Sequence, residues 1–165
     1  MPPPLGTAAA FGINYRVMTE TDEPFAGRLY ASTRAAEVAA TGWPPETQAA
    51  FLAQQHRAQH AYYRSAYPDG EWLLIERAGT PIGRLYLAEE MGKLLLVDIA
   101  LLPEERGTGL GTAIMTDLLA GETRPVELHV ERFNPARRLY ERFGFALVEE
   151  QPVYLRMIRE PRTAP

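Results

Sequence analysis

The chain of 165 residues contains no cysteine. A disulfide framework, a cysteine-based zinc site and a thiol nucleophile are therefore all excluded. Lysine is almost absent as well. Lys93 is the only one, so arginine supplies the other cationic side chains, a bias that fits a GC-rich bacterial genome. Long apolar runs are missing. The longest, Leu94 to Leu102, is broken by Asp98 and is far shorter than the roughly 20 residues a bilayer-spanning helix needs. Met1-Pro2-Pro3-Pro4-Leu5 has no basic stretch followed by an apolar one. No secretory signal is expected, and a cytoplasmic location follows by default. Positive charge is in deficit: the net charge is −4, which argues against general nucleic-acid binding.

What remains is a chain with 46% hydrophobic residues, enough for one compact domain with a sizeable core. Residues 1–12, rich in Pro, Ala and Gly, are expected to be mobile or loosely packed. Residues 13–160 are expected to form one domain, followed by a tail at 161–165. The hydrophobic periodicity predicts a strand over Asn14–Met18 and helices over Phe25–Ala40 and Glu46–Ala66. Thr41-Gly42-Trp43-Pro44-Pro45 separates the two helices. Strands follow at Glu71–Arg77, Pro81–Ala88 and Lys93–Leu102, with turns at Ala78-Gly79-Thr80 and Met91-Gly92. A helix over about Gly109–Ala120, a strand at Val126–Glu131, a short helix after Asn134 and strands at Phe145–Val148 and Val153–Ile158 complete the order.

Arg106-Gly107-Thr108-Gly109-Leu110-Gly111-Thr112 stands between an apolar strand and a helix. Strand, glycine loop and helix form an anion cradle. The glycines let N–H groups turn inward, and the helix N-terminus adds partial positive charge. A phosphate-binding P-loop would need Lys after the last glycine, and Thr112 stands there. A dinucleotide fingerprint beginning at Gly107 would need glycine at 112, which again is Thr112. A nucleotide-binding protein of another fold is thus disfavoured. Further on, Ala136, Leu139, Tyr140 and Phe143 fall on one helix face. Asn134 suits the N-cap, Pro135 the first turn and Gly144 a left-handed stop.

Arg-x-x-Gly-x-Gly after a strand resembles the acyl-CoA loop of the GNAT (Gcn5-related N-acetyltransferase) superfamily. Asn134, Ala136, Leu139-Tyr140 and Gly144-Phe145 resemble its second signature. Six positions separate Asn134 from Tyr140, where many relatives have seven. The element order resembles that fold too, over roughly residues 14–160. The resemblance implies an α/β (α+β) fold: a mixed, mostly antiparallel sheet of about six or seven strands, flanked by about four helices, with a splayed acyl-CoA cleft.

The same resemblance implies the site. The amides of Arg106, Gly107, Thr108, Gly109, Leu110, Gly111 and Thr112 would hold the diphosphate of acetyl-CoA. The backbone of Ile99, Ala100 and Leu101 would receive the pantetheine arm and stabilise charge on the thioester oxygen. Tyr140 would lie near the sulfur and protonate the leaving thiolate, although a tyrosine on an apolar helix face is also a natural core residue. Asn134 would contact coenzyme A or simply cap its helix. Arg137 and Arg138 would reach a phosphate or form a solvated helix face.

For the general base there are two candidates. His129 offers an imidazole, a group that can take a proton from an ammonium directly or through water, and sits where some relatives carry a catalytic glutamate. Asp98 lies in an apolar run and needs a partner such as Arg84 unless burial raises its pKa. His56 and His60, four residues apart on a helix, lack a third ligand nearby, so no metal is expected. The resemblance also implies Trp43, Tyr62, Arg84, Tyr86 and Tyr154 as walls of an acceptor pocket, although for each core packing is the better single reading. The sequence thus reads as an N-acetyltransferase that moves acetyl from acetyl-CoA to a primary amine by direct attack in a ternary complex. The alternative is an acyl-CoA-binding sensor or partner module without transfer chemistry. No nucleic-acid or membrane partner is expected, and the chain would act as monomer or homodimer.

Overall fold

A computed structural model describes residues 1–163 of the protein. Of the expected tail, residues 164 and 165 lie outside the described residues. Seven strands form one sheet: β1 (Ile13–Val17), β2 (Glu71–Arg77), β3 (Thr80–Glu90), β4 (Lys93–Leu101), β5 (Val126–Glu131), β6 (Ala146–Glu150) and β7 (Tyr154–Arg159). Four α-helices accompany it: α1 (Glu23–Ala39), α2 (Pro45–Ala66), α3 (Leu110–Leu119) and α4 (Ala136–Arg142). The spatial order is β1-β2-β3-β4-β5-β7-β6. Only the β4–β5 pair is parallel, because α3 carries the chain back between them.

Two tight turns set the register of the central strands. Ala78 and Gly79 have φ of 50° and 77°, and Met91 and Gly92 have 50° and 76°. Two successive positive-φ residues match the right-handed twist of a hairpin, so β2, β3 and β4 stack in sequence. Leu73, Leu74, Ile75 and Leu85 are buried on both faces of this meander. Each such side chain contributes about 1.5–3 kcal/mol by leaving water.

The two faces bury different side chains. One carries the larger core, in which Leu110, Ile114, Met115 and Leu118 of α3 and Tyr140 of α4 pack on Leu85, Leu96, Val126, Leu128 and Leu155. The other is smaller and aromatic: Phe25, Ala26 and Leu29 of α1 pack on Trp72, Leu74, Tyr86 and Ala100. Trp72 meets Tyr86 edge-to-face at 5.0 Å. Helix α2 is mostly exposed; His56 is its one buried residue.

The N-terminal residues differ from expectation. Composition predicts a loose segment at 1–12, yet Thr7–Phe11 forms a 3₁₀ turn, with Ala8 fully buried against the larger core. Its anchor is Asp117 on α3, more than a hundred residues away, which accepts N–H bonds from Gly6, Thr7 and Ala8. Local composition carries no trace of such a partner.

Candidate active site

The cradle is an exposed turn at the end of β4. Pro103–Glu105 makes a single 3₁₀ turn, and α3 begins at Leu110. Gly107 and Gly109 adopt φ of 70° and 92°, a region other residues rarely enter. No side chain caps α3. The first helical N–H with a backbone acceptor is that of Ala113, to the Gly109 carbonyl at 3.0 Å. The amides of Gly107, Thr108, Gly109, Gly111 and Thr112 have no protein acceptor among the described residues. Leu110 N–H has only a long contact, 3.4 Å, to Thr108 Oγ1. Such a cluster of open donors at a helix N-terminus is chemically suited to a diphosphate. The Arg106 side chain turns elsewhere, donating to the Leu101 carbonyl at 3.0 Å and to Ser32 Oγ on α1 at 3.1 Å.

Beside the cradle the sheet comes apart. β4 and β5 pair only from Leu94↔Val126 to Leu96↔Leu128. Beyond that, β4 continues along β3 to Leu101, and β5 continues along β7 to Glu131. Val97 is an extra residue in β4: the register runs Leu87↔Leu96, then Tyr86↔Asp98. A bulge of this kind bends its strand, and here it falls where the two strands part. The backbone of Val97–Leu101 therefore has no strand partner toward the gap, although the Leu101 carbonyl accepts from Arg106 Nε. Leu94–Leu96 are buried, whereas Val97, Ile99 and Leu101 are half-buried, as a one-sided strand should be. Gly83 lets β3 approach this stretch closely. A Cβ there would stand 2.6 Å from the Ala100 carbonyl oxygen.

Asp98 lies just past the bulge, opposite Tyr86. Its Oδ2 accepts from Arg84 Nε at 2.5 Å, the partner anticipated from the sequence. Arg84 is only 3% exposed; it also donates to Gln59 Oε1 of α2 at 3.0 Å and stacks over Tyr86. Burial opposes its charge, but Asp98 outweighs it and keeps the guanidinium above its ordinary pKa. Tyr63 of α2 packs edge-on to Tyr86 at 6.2 Å. Burial first, then the Asp98 charge, raises its pKa.

Tyr140 projects from α4 into the larger core, edge-on to Phe145 at 5.9 Å. Burial and, second, the charge of Asp98 raise its pKa. Tyr140 and Asp98 thus sense each other although they come from different layers. His129 is exposed on β5, one residue beyond the last β4–β5 pair. Its cross-strand neighbour is Arg156, itself bound to Glu127.

Asn134 Oδ1 accepts the Ala136 N–H at 2.9 Å, just ahead of α4, whose N-cap position is Pro135. Arg137 is engaged with Glu141 at 2.9 Å, one helical turn on, while Arg138 is exposed. Gly144 ends α4 with φ of 88°. Of the candidate acceptor walls, Tyr86 is core, Tyr62 is 64% exposed and Tyr154 is 42% exposed. Trp43 packs edge-on to Phe51 at the start of α2. His56 is buried against Tyr30, and His60 meets Glu23 at 3.3 Å. No group of three metal-ligating side chains occurs among the described residues. Sequence reasoning missed the bulge at Val97 and the contributions of Ser32, Gln59 and Tyr63, which pairing and periodicity do not reveal.

Comparison with known proteins defines the class. Solved structures share the fold across nearly the whole chain. A PaiA N-acetyltransferase from Thermoplasma acidophilum, solved in complex with coenzyme A, is 18% identical, with 90% of this chain and 98% of that one covered and a TM-score of 0.65. PH1933 from Pyrococcus horikoshii OT3 is 16% identical, covering 92% and 99%, with a TM-score of 0.67. An acetyltransferase from Thermus thermophilus is 19% identical, covering 89% and 96%, with a TM-score of 0.65. No match was found among curated protein sequences. The model of the acetyltransferase (GNAT) family matches residues 33–145, more than half of the sequence, and the chain belongs to that family. No helix among the described residues is long and apolar enough to cross a membrane.

Proposed function

We propose that the protein is an N-acetyltransferase that uses acetyl-CoA to acetylate a primary amine by direct attack in a ternary complex. The observation that carries this reading is the continuity of two open donor sets. The amides of Gly107, Thr108, Gly109, Gly111 and Thr112 lead directly into the edge of Val97–Leu101 that has no strand partner. The first set suits a diphosphate, and the second suits an extended amide-bearing arm that adds to the sheet as a strand would. Both are features of coenzyme A, and the relative from Thermoplasma acidophilum was solved with coenzyme A bound.

Acetyl-CoA supplies an activated acetyl thioester. The chain's own groups do the rest. The backbone N–H of Leu101, on the edge away from β3, stabilises the charge that develops on the carbonyl oxygen. His129, or water ordered by Asp98, takes the proton from the amine so that nitrogen can attack. Asp98, held by Arg84, places a carboxyl group beside the gap, where it can order water or meet an incoming amine. Tyr140 faces the leaving sulfur. Its pKa lies above 10 and a thiol's lies near 8.5, so complete transfer of the phenolic proton runs uphill. Tyr140 therefore acts as a hydrogen-bond donor that stabilises the thiolate as C–S breaks, with its protonation completed from the amine side or solvent.

Calorimetric titration with coenzyme A, followed by acetyl-CoA consumption across a panel of amines, tests the proposal. Micromolar binding and turnover with at least one amine are expected. No affinity for coenzyme A or its thioesters would end the reading. His129→Ala should move the pH–rate profile; an unmoved profile assigns the base to Asp98-ordered water.

A further inference from the structure

Asp117 has no place in the chemistry above, yet it is only 3% exposed. It lies on α3, eight residues beyond Gly109, about 12 Å along the helix. Its carboxylate accepts three backbone N–H bonds: from Gly6 at 3.0 Å, Thr7 at 2.6 Å and Ala8 at 2.8 Å. These are the opening amides of the 3₁₀ turn Thr7–Phe11, which has no cap of its own. Gly6 is required there, because a Cβ would stand 2.9 Å from Asp117 Oδ1. Burial opposes the charge, but the three amides prevail and hold the carboxyl below its ordinary range.

The far end of the same segment reaches the cradle by two routes. The Phe11 ring is half-buried, and its Cζ lies 3.6 Å from where a Cβ on Gly109 would stand. The Phe11 carbonyl accepts from Arg77 Nε at 3.0 Å, and Arg77 also binds Glu105 Oε1 at 2.7 Å. The Glu105 carbonyl in turn accepts from the Thr108 hydroxyl at 2.8 Å. One route sets the Phe11 ring beside Gly109, where it limits the space open to that residue. The other braces the turn that precedes it through hydrogen bonds.

We infer that residues 6–11 form a strap that holds the glycine loop in its anion-binding shape, with Asp117 as the clamp and Phe11 as the brace. The inference rests on the reading of 107–112 as a coenzyme A cradle. Its physical basis is entropic. Three glycines in five residues leave a loop conformationally free, and a ligand that must order it binds more weakly. A strap that orders the loop beforehand removes that loss. Asp117 and Phe11 are positioning residues; neither is assigned a contact with the acyl donor.

Coenzyme A is titrated calorimetrically into the wild type, Phe11→Ala, Phe11→Tyr and Asp117→Asn, well below the melting temperature of each. Phe11→Ala should weaken affinity by about tenfold, as expected when a supporting shell is loosened. Phe11→Tyr, which keeps the ring, should restore it to within about twofold. Asp117→Asn should fall with Phe11→Ala. A purely structural role would lower melting temperatures and leave affinity unchanged. Phe11→Ala keeps the Asp117 clamp, so it decides the matter even if Asp117→Asn does not fold. Wild-type affinity in folded Phe11→Ala overturns the strap alone. Absence of binding by the wild type overturns the cradle reading, and the strap with it.

Discussion

Replacing Gly109 and Gly111 by alanine, one at a time, should have opposite consequences. Gly109 sits at φ 92° and ψ −4°. That φ lies beyond the left-handed well that a Cβ tolerates, so strain of about 1–3 kcal/mol is expected. Space is not the problem: the nearest atom, Phe11 Cζ, would be at an ordinary 3.6 Å. For a domain of this size 1 kcal/mol corresponds to roughly 2–4 °C in melting temperature, so Gly109→Ala should melt about 2–12 °C lower. If the loop escapes the strain by turning its peptides, the amides of Thr108 and Gly109 leave the cradle and affinity for coenzyme A falls as well. Gly111 lies in the first turn of α3 with no positive φ, and the nearest atom to its added Cβ is Leu101 Cδ1 at 4.0 Å. Alanine there limits the unfolded chain and favours the helix, a gain of about 0.4–1 kcal/mol. Gly111→Ala should therefore melt at or above the wild-type temperature. Calorimetry and coenzyme A titration of both variants make the comparison. If Gly109→Ala matches the wild type in stability and affinity, the backbone account of this loop is wrong.

Tyr140→Phe should lower turnover by about tenfold or more while leaving coenzyme A affinity within about threefold, since the hydroxyl is assigned to the departing sulfur; unchanged turnover with a confirmed amine removes that role. Gly83→Ala places a Cβ 2.6 Å from the Ala100 oxygen and 2.8 Å from Leu101 Cδ2. The backbone there cannot yield cheaply, so the variant should lose about 1–3 kcal/mol and bind coenzyme A more weakly, both measurable by thermal melts and titration. Acid should destabilise the protein in two stages. Burial, then the Arg84 charge, holds His56 below its ordinary 6.5, so its contribution is complete above that pH and is lost as pH falls below it. Hydrogen bonds from Arg16 depress Asp22, and three backbone amides depress Asp117 against the cost of burial. Their contributions are complete above the ordinary carboxylate value near 4 and are lost as pH falls further. Melting temperature measured from pH 8 to pH 2 checks both stages; Asp117→Asn should flatten the lower one.

Much of this molecule is written in short-range pattern. Alternation, turn glycines and the helix face of Ala136, Leu139, Tyr140 and Phe143 placed every strand and α-helix within a few residues of its observed ends. The glycine loop between β4 and α3 was legible because backbone freedom and helix polarity are local properties. The 3₁₀ turns at Thr7–Phe11 and Pro103–Glu105 were not legible, being too short to show a period.

Long-range pairing decided the rest. That β4 and β5 separate after Leu96↔Leu128 depends on which partner each strand prefers, and no single strand records it. Asp98 could have been a lone base or half of an ion pair; a buried Arg84 on the neighbouring strand made it the latter. Asn134 binds the Ala136 N–H at the entry to α4, a contact that depends on how the loop after β5 turns. The N-terminal residues carried a mobile composition and became an anchored strap, because Asp117 offers three amides a charged acceptor inside the core. Backbone propensity acts over a few residues and is readable in one dimension. Desolvated polar groups must find partners wherever the chain folds back, and only the assembled structure says where that is.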